Sequence, residues 1–175
     1  MTNVGIHTTT FEYDSMGRRI KRTLPGGQVE TYQYDLAGNL VSKTDFNGYT
    51  TTYQYDAMNR LVAKVPDPRR GEPPVTYAYN ELGLRTNMTD ASGSTTYTYD
   101  LRNRLAQKIK TLGGTGNLPV QLSNVLSYSY DANGNLTKIV SSDPNGVNVS
   151  YEYDALNRLI AVNDAHLGCT AYNYL

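Results

Sequence analysis

Long apolar runs, tryptophan, paired cysteines and a surplus of either charge are all missing from this chain. Each absence excludes something. No stretch of about 18 apolar residues is present, so no membrane-spanning helix is expected. Lysine plus arginine number 16 and aspartate plus glutamate 16, for a formal charge of zero. That balance argues against a nucleic-acid or anionic-membrane binder, which needs a basic excess. It also removes charge-based protection against self-association. Cys169 is the single cysteine and forms no internal disulfide, so cysteine usage leaves the redox compartment open. The lead-in Met1–His7 has neither a basic segment nor an apolar stretch, so no signal peptide is expected there, and localisation stays undetermined. Histidine occurs only at His7 and His166, too few for a histidine-based metal site.

What the chain has is tyrosine, and all but Tyr49 of its 16 tyrosines fall in one recurring phrase. The phrase reads Phe11-Glu12-Tyr13-Asp14, Tyr32-Gln33-Tyr34-Asp35, Tyr53-Gln54-Tyr55-Asp56 and Tyr77-Ala78-Tyr79-Asn80. It continues as Tyr97-Thr98-Tyr99-Asp100, Tyr128-Ser129-Tyr130-Asp131 and Tyr151-Glu152-Tyr153-Asp154, with an eighth copy begun at Tyr172-Asn173-Tyr174. A fixed period of about 21 residues means stacked units, none of which buries its own apolar face alone. Residues 8–175 therefore form one array of about seven repeats with a truncated eighth, behind a lead-in of residues 1–7.

Within a unit, Tyr-x-Tyr places two rings on the same face of a strand, because successive side chains alternate. Three positions beyond each aspartate stands Gly17, Gly38, Asn59, Gly83, Asn103, Gly134 or Asn157. Glycine and asparagine tolerate a left-handed backbone best. Aspartate at the first turn position accepts hydrogen bonds from amides two residues on. Together these predict a type I turn ending in a left-handed residue. A second strand follows from Leu40, Leu61, Leu105, Leu136 or Leu159, with Arg19 and Arg85 in that place elsewhere. Arg18, Arg60, Arg104 and Arg158 precede it, replaced by Asn39 and Asn135 in other copies. Further turns are expected at Asp45–Gly48, Asp90–Gly93 and Asp143–Gly146.

Two strands per unit give roughly fourteen strands, which laid flat would be roughly 65 Å wide. Adjacent strands rotate by about 20–25°, so a curved, spiralling antiparallel sheet is expected. The proline-rich segment 66–74 must leave the ladder as a loop. The glycine-rich segment 111–119 is expected to make a longer, mobile excursion.

The segments Tyr53-Gln54-Tyr55-Asp56-Ala57-Met58-Asn59-Arg60-Leu61 and Tyr151-Glu152-Tyr153-Asp154-Ala155-Leu156-Asn157-Arg158-Leu159 resemble the YD repeat of Rhs proteins. The resemblance runs from about Thr8 to Leu175. It implies an all-β array of tandem hairpins that forms part of a hollow Rhs-type β-shell. Such shells commonly enclose the toxin of bacterial polymorphic toxins or insecticidal toxin complexes. Related repeats occur in cell-wall-associated proteins and in teneurins, and family members are exported or sit at the cell surface. A complete shell uses many more repeats. Many members end in an autoproteolytic segment resembling Asp-Pro-x-Gly-Leu, but Asp143-Pro144-Asn145-Gly146-Val147 occupies an ordinary turn position.

No catalytic constellation emerges. His166 and Cys169 lie close in sequence, yet nothing suggests the orienting group or oxyanion site a nucleophile needs. The recurring aspartates lack the spaced oxygen ligands of a calcium loop. Gly113–Gly116 lacks the lysine-serine ending of a phosphate loop. The expectation is a non-enzymatic shell segment, without cofactor or metal. Its partners would be further shell repeats and a toxin polypeptide, with self-association through open strand edges and neither nucleic acid nor membrane insertion. The alternative is an adhesion module whose tyrosine face binds glycans or proteins, since each ring has an apolar body and a polar tip.

Overall fold

The computed structural model describes residues 8–113 and 123–174. The lead-in 1–7, most of the glycine-rich excursion and Leu175 lie outside the described residues. The chain divides into two compact units, Met1–Tyr77 and Ala78–Leu175. The first holds β1 (Thr10–Tyr13), β2 (Arg19–Thr23), β3 (Val29–Tyr34), β4 (Leu40–Thr44), β5 (Thr50–Tyr55), β6 (Leu61–Val65) and the start of β7 (Val75–Tyr79). The second holds β8 (Arg85–Asp90), β9 (Gly93–Tyr99), β10 (Leu105–Leu112), β11 (Ser123–Tyr130), β12 (Leu136–Ser141), β13 (Asn148–Tyr153), β14 (Leu159–Asp164) and β15 (Gly168–Ala171).

Within each unit the strands hydrogen-bond antiparallel in chain order, so every hairpin pairs with the next. The fold is all-β and antiparallel. The described strands number 15, one more than the repeat count predicts, because β15 forms ahead of the Tyr172 phrase. Tyr172–Tyr174 themselves lie outside the strand, although the Tyr172 N–H still donates to Ile160 O at 2.9 Å.

The turn after each complete Tyr-x-Tyr phrase and after Phe11-Glu12-Tyr13 ends in a left-handed residue, as expected. Asn59, Asn103 and Asn157 sit at φ 60–61°, in the left-handed region. Paired hydrogen bonds close the loop, as in Asn59 N to Asp56 O (3.0 Å) and Asp56 N to Arg60 O (3.0 Å). Simple alternation does not anticipate the β-bulge that follows. In six hairpins the strand after the turn carries one extra residue: Tyr34 faces Leu40, but Gln33 faces Ser42, leaving Val41 unpaired. The bulge resets the phase. Alternation from Leu40 would put Ser42 on the tyrosine face; the register instead places Lys43 opposite Tyr32, and likewise Lys64 opposite Tyr53.

Burial is shallow. Among the described residues the buried apolar side chains are Tyr32, Ala63 and Pro66, joined by the polar Glu30, Asp67 and Thr95. Stability in such an array rests on the interfaces between successive repeats.

The proline-rich segment does leave the ladder, and it docks. Pro68–Arg70 forms a single 3₁₀ turn capped by Asp67. Asp67 Oδ2 accepts from the Thr50 amide at 2.8 Å, tying the segment to the start of β5. Arg69 Nη2 donates to Gly48 O, and Arg70 pairs with Asp45 at 2.6 Å. Both guanidinium groups lie over the Tyr49 ring, at 4.8 and 4.5 Å. The one tyrosine outside the repeat phrase thus anchors the one proline-rich insertion.

Candidate functional site

The recurring phrase builds the same turn seven times among the described residues. The aspartate carboxylate caps its own turn: Asp56 Oδ1 accepts from the amides of Met58 (2.9 Å) and Arg60 (3.0 Å). Asp14, Asp100 and Asp154 repeat the pattern, and Asn80 supplies the same oxygen to Leu82 and Leu84. The second carboxylate oxygen binds the side chain four residues on. That partner is arginine in Asp14–Arg18, Asp56–Arg60, Asp100–Arg104 and Asp154–Arg158, each at 2.7 Å. In the copies between, Asn39 and Asn135 donate to Asp35 and Asp131.

These donors hold the carboxyls below their ordinary range. For Asp14, Asp56 and Asp154 the main cause is the backbone N–H of the residue four on. For Asp35, Asp100 and Asp131 it is that residue's side chain.

The clamp residue also reaches forward into the next repeat. Arg18 donates to Asp35 O at 3.1 Å and stacks on Tyr34 at 4.8 Å. Arg104 meets Asp131 O and stacks on Tyr130 at 4.4 Å, and Arg158 lies over Tyr174 at 4.5 Å. Asparagine reaches a different target: Asn39 donates to Asn59 Oδ1 (2.9 Å) and Asn135 to Asn157 Oδ1 (2.8 Å). So the clamp in one repeat matches the left-handed residue in the next. After Arg18 and Arg104 that residue is Gly38 or Gly134, where a Cβ would already lie 3.8–3.9 Å from the guanidinium nitrogen. After Asn39 and Asn135 it is an asparagine whose amide is used. Arginine and asparagine clamps thus come with different turn residues in the following repeat, while the fourth repeat has Leu84 at the clamp position.

A second bond runs backward. In six phrases the outer tyrosine donates its hydroxyl to the carbonyl that opens the previous repeat's second strand. Tyr34 bonds Arg19 O, Tyr55 bonds Leu40 O, Tyr99 bonds Arg85 O, Tyr130 bonds Leu105 O, Tyr153 bonds Leu136 O and Tyr174 bonds Leu159 O, at 2.7–3.0 Å. Burial pushes the Tyr55, Tyr130 and Tyr153 hydroxyls up, which keeps them protonated donors. Tyr13 heads the series on the edge strand β1 and is exposed; Tyr77 and Tyr79 lie on β7.

The inner tyrosines, Tyr53, Tyr97, Tyr128 and Tyr151, share that face and stand directly opposite Lys64, Lys108, Ile139 and Val162 on the paired strands. Tyr32 is the exception. Its hydroxyl donates to buried Glu30 and accepts from Arg19 at 2.9 Å. Lys43 closes the cluster on Glu30 at 2.6 Å. Desolvation opposes ionisation of Glu30, but Lys43, the Tyr32 hydroxyl and nearby Arg22 outweigh it and hold its carboxyl below the usual range. A raised Tyr32 pKa, first from burial and then from the Glu30 hydrogen bond, is the reverse of what a nucleophilic phenolate requires.

His166 and Cys169, close in sequence, have different surroundings. The His166 ring contacts Gly146 O at 3.0 Å, and Cys169 is exposed on β15. Asp143–Gly146 is a turn closed by Gly146 N to Asp143 O at 2.9 Å. Among the described residues no cluster of acidic, histidine and cysteine side chains is arranged to hold a metal.

The tyrosine hydroxyl bond, the arginine–tyrosine stack and the exchange of clamps do not follow from the strand-and-turn reading. The exchange of Arg for Asn alone left a signal in the sequence, before the strand-opening residue, with Leu84 in that place in the fourth copy.

The geometry has counterparts. The crystal structure of TcdB2-TccC3-TEV superposes with a TM-score of 0.63 at 19% identity, over 88% of this chain and 10% of that one. The Photorhabdus luminescens Tc holotoxin pore with mutated TccC3 gives 0.52 at 17% identity, over 90% of this chain and 12% of that one. These likenesses are of fold, and this chain spans about a tenth of the length of the chains it matches. No curated protein matches the sequence. The family model for the teneurin YD-shell matches residues 1–174. With that match over nearly its whole length, and with the repeated aspartate turn and tyrosine bond that build the wall, the chain belongs to the teneurin YD-shell family.

Proposed function

We propose that this chain is a non-enzymatic wall segment of a shell that encloses a toxin polypeptide until delivery. Residues 8–175 act as one array, and the tyrosines, aspartates and left-handed turn residues of the phrase are structural. The mechanism is steric: a continuous hydrogen-bonded wall keeps targets and proteases from what lies behind it.

One observation carries the reading. Phe11 and Tyr13 on β1 are 44% and 58% exposed, and Tyr172 and Tyr174 next to β15 are 43% and 47% exposed, whereas the internal Tyr32 is 8% exposed. Both edge strands bond on one side only among the described residues. Aromatic residues built for a repeat interface, displayed on an unpaired edge, support continuation by further YD strands.

Size-exclusion chromatography with light scattering, over a range of protein concentrations, tests this. Concentration-dependent association through the open edges is the expected result. A monodisperse monomer at every concentration overturns the open-wall reading.

A further inference from the structure

We infer that the tyrosine face of the first unit is a docking surface for an acidic polypeptide segment. The inference is independent of the shell reading, since it rests on how charge is distributed over one face.

The chain is neutral as a whole, but its first unit sorts charge by face. The register puts Arg22, Lys43 and Lys64 on the tyrosine side of β2, β4 and β6, with Arg19 opposite Tyr13 on the same side. Glu30 is the one strand carboxylate on that side, and it is committed to Lys43 and Tyr32. On the opposite side of these strands Lys21 is neutralised by Glu12 at 2.8 Å. The tyrosine face therefore carries a cationic excess.

Two of those cations have unused capacity among the described residues. Lys64 is exposed and in no ion pair. The Nε of Arg22 is buried without a hydrogen-bond acceptor. Lys64 also lines a cleft of about 240 Å³ with Lys43, Thr51, Tyr53 and Arg70. The two carboxylates at that cleft, Asp45 and Glu72, both face Arg70, at 2.6 and 3.9 Å. An entering carboxylate meets the Lys64 ammonium beside the Tyr53 and Thr51 hydroxyls, a set that suits an anion with hydrogen-bonding oxygens.

The fold does not require lysine at this register. The residue opposite the inner tyrosine is lysine at Lys43, Lys64 and Lys108 but Ile139 opposite Tyr128 and Val162 opposite Tyr151, so the register accepts either kind. Ordering a lysine side chain costs more conformational entropy than ordering an apolar one of this kind. Lys43 is used inside the repeat by Glu30, whereas exposed Lys64 has no carboxylate partner among the described residues and is available to an anionic one. Alternate strands lie roughly 10 Å apart, so Lys43 on β4 and Lys64 on β6 match an extended chain with spaced carboxylates.

The test is fluorescence anisotropy of a labelled oligoglutamate titrated with the full chain at about 50 mM and about 300 mM salt. Binding at the lower salt, weakened at the higher, is expected. Lys64→Gln should weaken it roughly threefold or more, and Lys64→Glu should weaken it further. Lys21→Gln changes net charge equally on the opposite face and should leave binding unchanged. Lys64 is exposed, so circular dichroism of each variant should match the parent. Absence of binding at low salt, equal binding of oligolysine, or equal loss in Lys21→Gln overturns the inference. Oligothymidylate bound as tightly with the same Lys64 dependence replaces the acidic polypeptide with a general polyanion, and overturns the assignment.

Discussion

Replacing Tyr153 with phenylalanine removes one oxygen and keeps the ring, which isolates the backward hydroxyl bond from aromatic packing. The Tyr153 hydroxyl donates to Leu136 O at 2.9 Å, linking the β13 phrase to the strand that opens the preceding repeat. Burial is the first cause of its raised pKa, so the bond forms in a partly desolvated place. A typical intramolecular hydrogen bond contributes about 0.5–1.5 kcal/mol net, and the orphaned carbonyl puts this one in the upper part of that range. For a chain of this size about 1 kcal/mol corresponds to a melting shift of about 2–4 °C. Tyr151 supplies the internal control. It stands two residues away on the same face, and its hydroxyl makes no hydrogen bond among the described residues. Tyr151→Phe should fall within about 0.5 kcal/mol of the parent. The assay is urea unfolding followed by far-UV circular dichroism, with thermal melts alongside. Equal effects of the two substitutions, or none from Tyr153→Phe, would refute the hydroxyl as the link between repeats.

Three further outcomes follow from the same interface. Asn39→Arg should destabilise the first unit, because the guanidinium would crowd the Asn59 side chain; adding Asn59→Gly should recover part of the loss, and additive effects in this double-mutant cycle would remove the matching rule. The depressed aspartates make a pH prediction with a definite sign. Their stabilisation is fully present above the unfolded value of about 3.9 and is lost as pH falls through the lower folded values. Melting temperature should hold level down to about pH 5 and drop below about pH 4, and an unchanged melt at about pH 3 would contradict the turn assignment. Asp67→Ala should free the proline-rich segment from β5, which hydrogen exchange reports directly as faster exchange of the Thr50 amide; unchanged exchange there would mean Asp67 is not the tie.

Strands, turns and their order were legible because each rests on local chemistry. Tyr-x-Tyr alternates faces, aspartate bonds its own turn, and glycine or asparagine takes the left-handed position. The interface chemistry was less legible because it depends on phase and on atoms distant in sequence. Val41 and its equivalents shift the register by one, so Lys43 and not Ser42 joins the tyrosine face. No alternation count from Leu40 gives that result. The Tyr55 hydroxyl finds its acceptor 15 residues back, where residue type is immaterial because the acceptor is backbone. Arg69 and Arg70 reach Tyr49 only once the proline segment folds back, which its composition did not announce. The exchange of Arg for Asn at the clamp was visible, but its partner in the next repeat was evident only when both turns were placed side by side.

The central claim is that these repeats are wall. Electron cryomicroscopy of the protein, purified in the longest form the cell makes, tests it most directly. The account predicts a closed hollow particle in which β1 and β15 each bond to a further YD strand and an enclosed chain occupies the interior. A particle with both edges open to solvent and no enclosed cavity would contradict it.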